Sequence, residues 1–332
     1  MVRVALLGAG MMGKVHAEAW KQVRNAKVVA VADGRADRAR DLAGAMGAEP
    51  SDSLDQTIRR DDIDAVDICL PTDLHEECSL KALRAGKSAL CEKPLALTLE
   101  SADRILQAAK ASGKVFMVAQ VVRFWPQYKT AAEIIRRGEL GKVLTMRLSR
   151  TSKRPDWGEW FQNPQKTGGA LFDLNVHDLD YVVSILGRPR RIHAIGIKGD
   201  RGGWDYVSTH LDFGTANAEV ESGYLFPPSY PFTTRLRALC QKGVLEYDFR
   251  VAGNVESRGE EGSLLTLMAA DGSVSTPAVE PLDAYVGEIL HFTQCVERAR
   301  ESDMVPNEQV RLVLEVVLAI RRSLESGKIV DL

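Results

Sequence analysis

Leu7-Gly8-Ala9-Gly10-Met11-Met12-Gly13 is the stretch whose reading decides the fold. From Gly8 to Gly13 it matches GxGxxG, a weak signal on its own because glycine-rich turns without ligands share it. Its setting adds the rest. The apolar run of residues 2–8 reads as a buried strand, and the residues after the glycines, through Val23, read as a helix. A second apolar run, residues 26–33, ends in Asp33, twenty positions past Gly13. Strand, glycine turn, helix, strand and acid is the order that a dinucleotide fingerprint requires. Gly8 permits the tight turn, Gly10 lets the backbone approach a pyrophosphate, and Gly13 lets the helix pack against the strand. Met11 and Met12 stand at the helix N-terminus, whose unpaired N–H groups and positive dipole end favour phosphates. Asp33 suits a ribose with two free hydroxyls and repels a 2′-phosphate, so NAD is preferred. Arg35 and Arg38 lie just beyond and keep NADP as the alternative. His16, inside the first helix, reads as a packed structural residue.

Working outward, the alternation continues. Residues 36–46, 76–85 and 99–112 read as helices, the last two closed by Gly86 and Gly113. Residues 65–70, 88–94 and 114–122 read as continuous apolar strands, the first stopped by Pro71. Such strands alternating with helices imply a parallel sheet covered on both faces. Beyond Gly138 the pattern changes. Residues 143–149, 191–197, 205–213, 218–224, 233–239 and 244–247 follow one another as strands, many with period-two alternation. A helix starting near Gly168 is inserted, and helices at 284–299 and 307–326 close the chain. The expected fold is therefore α/β. A doubly wound Rossmann domain spans residues 1–122, and an α/β domain with a large, mainly antiparallel open sheet spans 123–332.

Bulk properties bound the function. A chain of 332 residues fits two domains of about 100–200 residues each. It is 45% hydrophobic and 27% charged, enough for a core that needs no staple. A net charge of −2, from 43 basic and 45 acidic residues, points to neither nucleic acid nor an anionic membrane. The five cysteines include no CxxC pair, which suits buried thiols in a reducing compartment rather than a metal site. No uncharged apolar run reaches the ~20 residues a bilayer span needs. The first strand begins too early to leave room for a signal peptide, and a cytoplasmic location is expected.

Cys91-Glu92-Lys93-Pro94 falls at the C-terminal end of a parallel strand, the edge where open α/β sheets bind ligands. A lysine there can hydrogen-bond a carbinol or carbonyl oxygen and stabilise the charge that develops on it during hydride transfer. Glu92 can pair with the lysine or meet the cofactor. Read blandly, the two are a surface pair at a strand end. The remaining chemistry-bearing stretch is GGALFDLNVHD, residues 168–178. If helical, it projects Asp173 and His177 from one face, a turn apart. Histidine, with an ordinary pKa of ~6.5, can take a hydroxyl proton as hydride leaves, and Asp173 can orient the ring or hold a neighbouring hydroxyl. The bland readings are a capping aspartate and a packed helix histidine. No third ligand at a suitable local spacing makes the pair a metal site.

These stretches, with PTDLHEECSLKALRAGKSALCEKPLALT, RFWPQYKTAAEIIRRGELGKV and the closing RRSLESGKIVDL, resemble the glucose–fructose oxidoreductase, inositol dehydrogenase and MocA (Gfo/Idh/MocA) family over nearly the whole chain. The resemblance implies a Rossmann domain joined to an open-sheet domain that packs against a second subunit, giving a homodimer or homotetramer. It implies NAD(P)-dependent dehydrogenation or reduction of a sugar, cyclitol or related polyol. It makes Lys93 the active-site lysine, with Asp173 and His177 as the substrate-side pair over the nicotinamide. Pro71, Thr72 and His75 match the family's PxxxH element beside the nicotinamide. From the residues alone, Pro71 stops a strand and His75 begins a helix. Asn175 departs from the family, which usually has glycine there, and Thr167 stands where relatives often carry a third glycine. Other pocket candidates are Gln120, Arg123, Trp157, Trp160 and Tyr285. Two other readings remain: an NAD-dependent glycosidase that oxidises its sugar transiently, and a non-catalytic NAD-responsive regulator. Retention of both Lys93 and His177 argues against the regulator.

Overall fold

Val2–Leu7 forms β1, an almost wholly buried strand, and the chain then winds into α1 (Met11–Trp20). In the computed structural model, which describes residues 1–155, 163–251 and 264–332, the alternation read from the sequence continues. It runs β2 (Ala26–Ala32), α2 (Ala36–Met46), β3 (Glu49–Ser51), α3 (Leu54–Ile58), β4 (Ala65–Ile68), α4 (His75–Arg84), β5 (Ser88–Glu92), α5 (Leu99–Ser112) and β6 (Phe116–Ala119). The six strands are parallel, in the order β3-β2-β1-β4-β5-β6. Every residue of β4, β5 and β6 is buried, as a sheet covered on both faces requires. Strand order reverses between β1 and β4, so ligands are expected beyond their C-terminal ends.

Two local differences have physical causes. The pair β3 and α3 is not visible in the sequence, because three and five residues are too few to establish a period. The expected strand at 114–122 stops at Ala119. The Gln120 N–H turns back to the Val118 carbonyl, and Arg123 N–H to the Gln120 carbonyl. Val121–Phe124 therefore winds as a short 3₁₀ helix and buries its apolar side chains without entering the ladder.

The remaining elements are α6 (Pro126–Arg136), β7 (Val143–Lys153), α7 (Pro164–Thr167), α8 (Val176–Leu186), β8 (Arg191–Lys198), β9 (Trp204–Asp212), β10 (Asn217–Phe226), β11 (Phe232–Cys240), β12 (Gly243–Val251), β13 (Thr266–Ala269), β14 (Val274–Ser275), α9 (Ala284–Arg298), α10 (Asn307–Ser326) and β15 (Val330–Asp331). Among the described residues, nine strands make one mixed sheet, β14-β13-β12-β11-β7-β10-β9-β8-β15. Its β7–β10 pair is parallel and the other pairs are antiparallel. Register separates the two faces. The row Ala194, Thr209, Val220, Leu148, Leu236 and Tyr247 is buried. The next row, Ile195, Ser208, Glu221, Ser149, Arg235 and Asp248, faces the charged side. There a depression of about 540 Å³ is lined by residues such as Arg147, Glu219, Arg237 and Glu246.

The chain divides into two units, Met1–Phe124 with Leu282–Arg311, and Trp125–Pro281 with Leu312–Leu332. A single cut near residue 122 does not describe that division, because the chain returns: α9 belongs with the parallel sheet and most of α10 with the mixed one.

Within the second unit α8 is fixed to the buried sheet face by an ion pair. The Arg150 guanidinium on β7 donates to both Asp178 oxygens, at 2.9 and 3.1 Å, with both side chains buried. Burial pushes the Asp178 carboxyl upward and the guanidinium works against that rise. Removing one partner of such a pair leaves an uncompensated charge inside, at a cost of about 3–5 kcal/mol. Asp178→Ala is expected to lower unfolding free energy by that amount in urea, and Arg150→Met with Asp178→Leu to recover most of it. A single-variant loss of less than about 1 kcal/mol would show that the pair does not anchor α8.

Candidate functional site

In the parallel-sheet unit the turn after β1 closes because Gly8 adopts φ +102° and donates its N–H to the Ala32 carbonyl at 2.7 Å. A Cβ on Gly8 would stand 2.2 Å from the Cys69 carbonyl oxygen, and one on Gly13 would stand 2.0 Å from the Gly8 oxygen. Around Gly10, by contrast, a Cβ would meet nothing within 4 Å. Gly10 is the N-cap of α1 and supplies no side-chain cap, and the first turn, which holds Met11, Met12 and Gly13, contains no acid. Open space, helix N–H groups without a side-chain cap and the positive dipole end fit a pyrophosphate. Asp33 supports the loop: Oδ2 accepts the Ala9 N–H and Oδ1 the Arg35 N–H, each at 2.8 Å. A carboxylate has about four acceptor sites, so it retains capacity for ribose hydroxyls. The Arg35 guanidinium is turned onto Asp37 at 2.7 Å.

The ends of β4 and β5 carry the next group. The Lys93–Pro94 peptide is cis, and the Lys93 N–H donates to Glu92 Oε2 at 2.9 Å. Glu92 is buried, and its Oε1 lies 3.1 Å from His16 Nε2. His75 is buried as well, with Nδ1 2.8 Å from the Pro94 carbonyl and Nε2 2.9 Å from the Leu70 carbonyl. Burial lowers its pKa against the pull of the two carbonyls, and a neutral ring donates to one of them, not both. Pro71 introduces the short 3₁₀ turn Thr72–Leu74, and Thr72 is buried in it. Gln120 is buried, and its Oε1 has no hydrogen-bond partner. Arg123 ties its own unit together: one guanidinium nitrogen donates to the Met304 carbonyl at 2.8 Å and to Gln309 Oε1 at 2.7 Å. Tyr285, at the start of α9, belongs to this unit and not to the mixed-sheet unit. Its ring lies 5.9 Å from that of His16.

In the mixed-sheet unit the helix expected from Gly168 opens with π winding at Leu171–Asn175 before α8 begins. Single π turns inside α-helices recur at functional sites. Every residue of the run 171–183 is buried except Asp173 and His177, so these two share the open side of the segment. The Asp173 carboxylate accepts the Tyr224 O–H from β10. Burial, and then the Asp173 charge, hold that phenol protonated far above its ordinary range. Asn175 is buried against β10, donating to Ser222 Oγ at 2.9 Å, while its Oδ1 has no partner. Trp157 and Trp160 lie outside the described residues. Tyr224 and the His16 contacts are the features of these groups that sequence reading missed. A tyrosine in an alternating strand carries no local mark, and the His16 partners are 51 and 76 residues away.

Comparison with known proteins agrees with the fold. A family model described as "Oxidoreductase family, NAD-binding Rossmann fold" matches residues 2–120, and one described as "GFO/IDH/MocA C-terminal domain" matches residues 128–246. The inositol 2-dehydrogenase of Rhizobium meliloti is 29% identical over 340 residues, covering 99% of this chain and 98% of its own. The D-glucoside 3-dehydrogenase of Escherichia coli is 28% identical over 357 residues, covering 100% and 97%. A crystal structure of a candidate myo-inositol dehydrogenase from Sinorhizobium meliloti superposes with a TM-score of 0.83 at 27% identity, covering 100% of this chain and 99% of that one.

The glycine geometry separates binding from folding. Gly10→Val, placed in open space, is expected to keep the melting temperature and weaken NADH at least tenfold, about 1.4 kcal/mol, by fluorescence titration. Gly13→Val is expected to unfold the domain. Unchanged NADH affinity in Gly10→Val would remove the pyrophosphate from this loop.

Proposed function

The chain belongs to the Gfo/Idh/MocA oxidoreductase family, and on that premise we propose that it moves hydride between NAD, in preference to NADP, and a secondary alcohol or ketone of a sugar, cyclitol or sugar derivative. The observation that carries the reading is that only Asp173 and His177 stay half-buried in an otherwise buried run. Eleven buried neighbours beside a partly exposed acid and imidazole suit a proton-handling pair better than a capped, packed helix. The relatives named above, an inositol dehydrogenase and a glucoside dehydrogenase, support the substrate class.

When bound, NAD supplies the hydride acceptor. The chain's own groups do the rest. The α1 N-terminus and Gly10 hold the pyrophosphate, and Asp33 holds the ribose hydroxyls. The Lys93 ammonium hydrogen-bonds the reacting oxygen and stabilises charge developing on it. The His177 imidazole takes the hydroxyl proton during oxidation and returns it during reduction. Asp173, held in place by Tyr224, orients that imidazole or a neighbouring substrate hydroxyl. Asn175, where the family usually has glycine, ties the segment to Ser222 of β10 and so helps set the placement of the pair.

The same reading places the protein in the cytoplasm, supported by five buried free thiols. Among the described residues, no helix is long and apolar enough to cross a membrane. It also makes the charged sheet face a contact between copies, as a homodimer or homotetramer. Ile195 and Ile197, 60% and 56% exposed on that face, support this assembly.

A panel of inositols, aldoses and glycosides with NAD and NADP, followed by absorbance of the reduced cofactor, tests the reading. Lys93→Met is expected to retain NADH affinity within about threefold while turnover on the best substrate falls by about 10²–10⁴. His177→Gln is expected to lose most oxidation activity while keeping NADH affinity within about threefold. Full turnover in Lys93→Met would remove the lysine from the chemistry.

A further inference from the structure

Beneath the cofactor loop the first unit buries three ionisable side chains from three elements: His16 of α1, Asp67 of β4 and Glu92 of β5. The first two are fully buried and Glu92 is 6% exposed. His16 Nδ1 lies 2.9 Å from Asp67 Oδ2, and Nε2 lies 3.1 Å from Glu92 Oε1. The Trp20 indole N–H donates to Asp67 Oδ2 at 2.7 Å, and the Lys93 backbone N–H donates to Glu92 Oε2 at 2.9 Å.

A neutral imidazole has one N–H. Between two carboxylates it would satisfy one and turn a lone pair toward the other at about the same distance, leaving a buried anion poorly paired. An imidazolium donates to both. We propose that His16 is a positioning residue: as an imidazolium bridging Asp67 and Glu92, it fixes the carboxylate that holds the backbone of Lys93. The inference rests on the role of Lys93 proposed above.

The other groups facing the ring agree. Cys69 follows β4 and Tyr285 faces the ring from α9. Burial, then the Asp67 charge, pushes the Cys69 thiol up, and burial, then the Glu92 charge, does the same to the Tyr285 phenol, so both stay neutral. Burial is the largest single influence on His16 and disfavours charge, but the Asp67 charge and hydrogen bond, together with the Cys69 contacts, raise the ring well above its ordinary range. Donor atoms of His16, Asp67 and Cys69 also lie within 4.8 Å of one another. A metal there would need the thiolate, which burial opposes, and would displace the ring from Asp67, so the hydrogen-bonded imidazolium is the better fit.

Loss of the imidazolium leaves Glu92 buried beside an uncompensated Asp67, so Glu92 protonates or rotates and releases the Lys93 N–H. The expected effect is on turnover, not cofactor affinity. His16→Gln is expected to lower kcat about 10²-fold, the scale of a small misplacement of a reacting group, with KM for NAD within about threefold. His16→Gln combined with Glu92→Gln restores a neutral hydrogen-bonded pair and is expected to recover kcat to within about tenfold of the parent enzyme. In the unmodified protein, nitrogen NMR with labelled histidine is expected to show both His16 ring nitrogens protonated from pH 6 to 9.

A bare ring nitrogen at pH 7 would overturn the inference whether or not the variants fold. So would an unchanged kcat in His16→Gln, no recovery in the double variant, or one equivalent of tightly held metal that Cys69→Ser releases. Inactive Lys93→Met with fully active His16→Gln would sink only the positioning role. Active Lys93→Met would sink the proposed chemistry while the NMR result still reports the imidazolium.

Discussion

Two backbone approaches, too close for any side chain, organise the nucleotide-binding unit: Gly8 against the Cys69 carbonyl, and Gly13 against the carbonyl of Gly8. They bring the loop, the start of α1 and the end of β4 into contact. The first consequence is the phosphate cradle, because the chain must turn sharply at Gly8 and present the α1 N-terminus over open space at Gly10. The second is that His16, on the inner face of α1, is carried down to Asp67 and on to Glu92 at the end of β5. The groups proposed to bind phosphate and to hold Lys93 thus depend on one packing event.

The mixed-sheet unit reaches a comparable end by a different route. Its core face is buried from β8 to β12, and α8 lies on it through Arg150 and Asp178. With that helix fixed, burial claims all of residues 171–183 except Asp173 and His177. Tyr224 then restrains Asp173 from β10. Rigid elements, rather than loops, hold the pair proposed to handle protons. That suits chemistry in which a small displacement costs much of the rate.

Much of this was legible in the sequence, for identifiable reasons. GxGxxG between two buried strands, with Asp33 at the expected distance, carries its own structural context, and so the parallel sheet could be read. The alternation of residues 191–247 gave the second sheet, and the spacing of Asp173 and His177 gave their shared side. What could not be read depends on contacts distant in sequence or on changes too small to set a period. The extra winding at Leu171–Asn175 leaves no mark in a helical pattern. Arg123 follows a strand that ends near the cofactor edge, yet tertiary packing commits it to Met304 and Gln309. His16 looked like an ordinary packed histidine until Asp67 and Glu92 were brought to both of its nitrogens. Tyr285 sits beyond the second sheet in sequence but folds back onto the first unit.

The central claim is net hydride transfer from substrate carbon to nicotinamide. Its most direct test is to incubate the protein and NAD with inositols and aldoses deuterated at their carbinol carbons, then weigh the recovered NADH by mass spectrometry. The account predicts stoichiometric NADH carrying one deuterium at the nicotinamide ring. Accumulation of product with no NADH, or NADH free of deuterium, would contradict it.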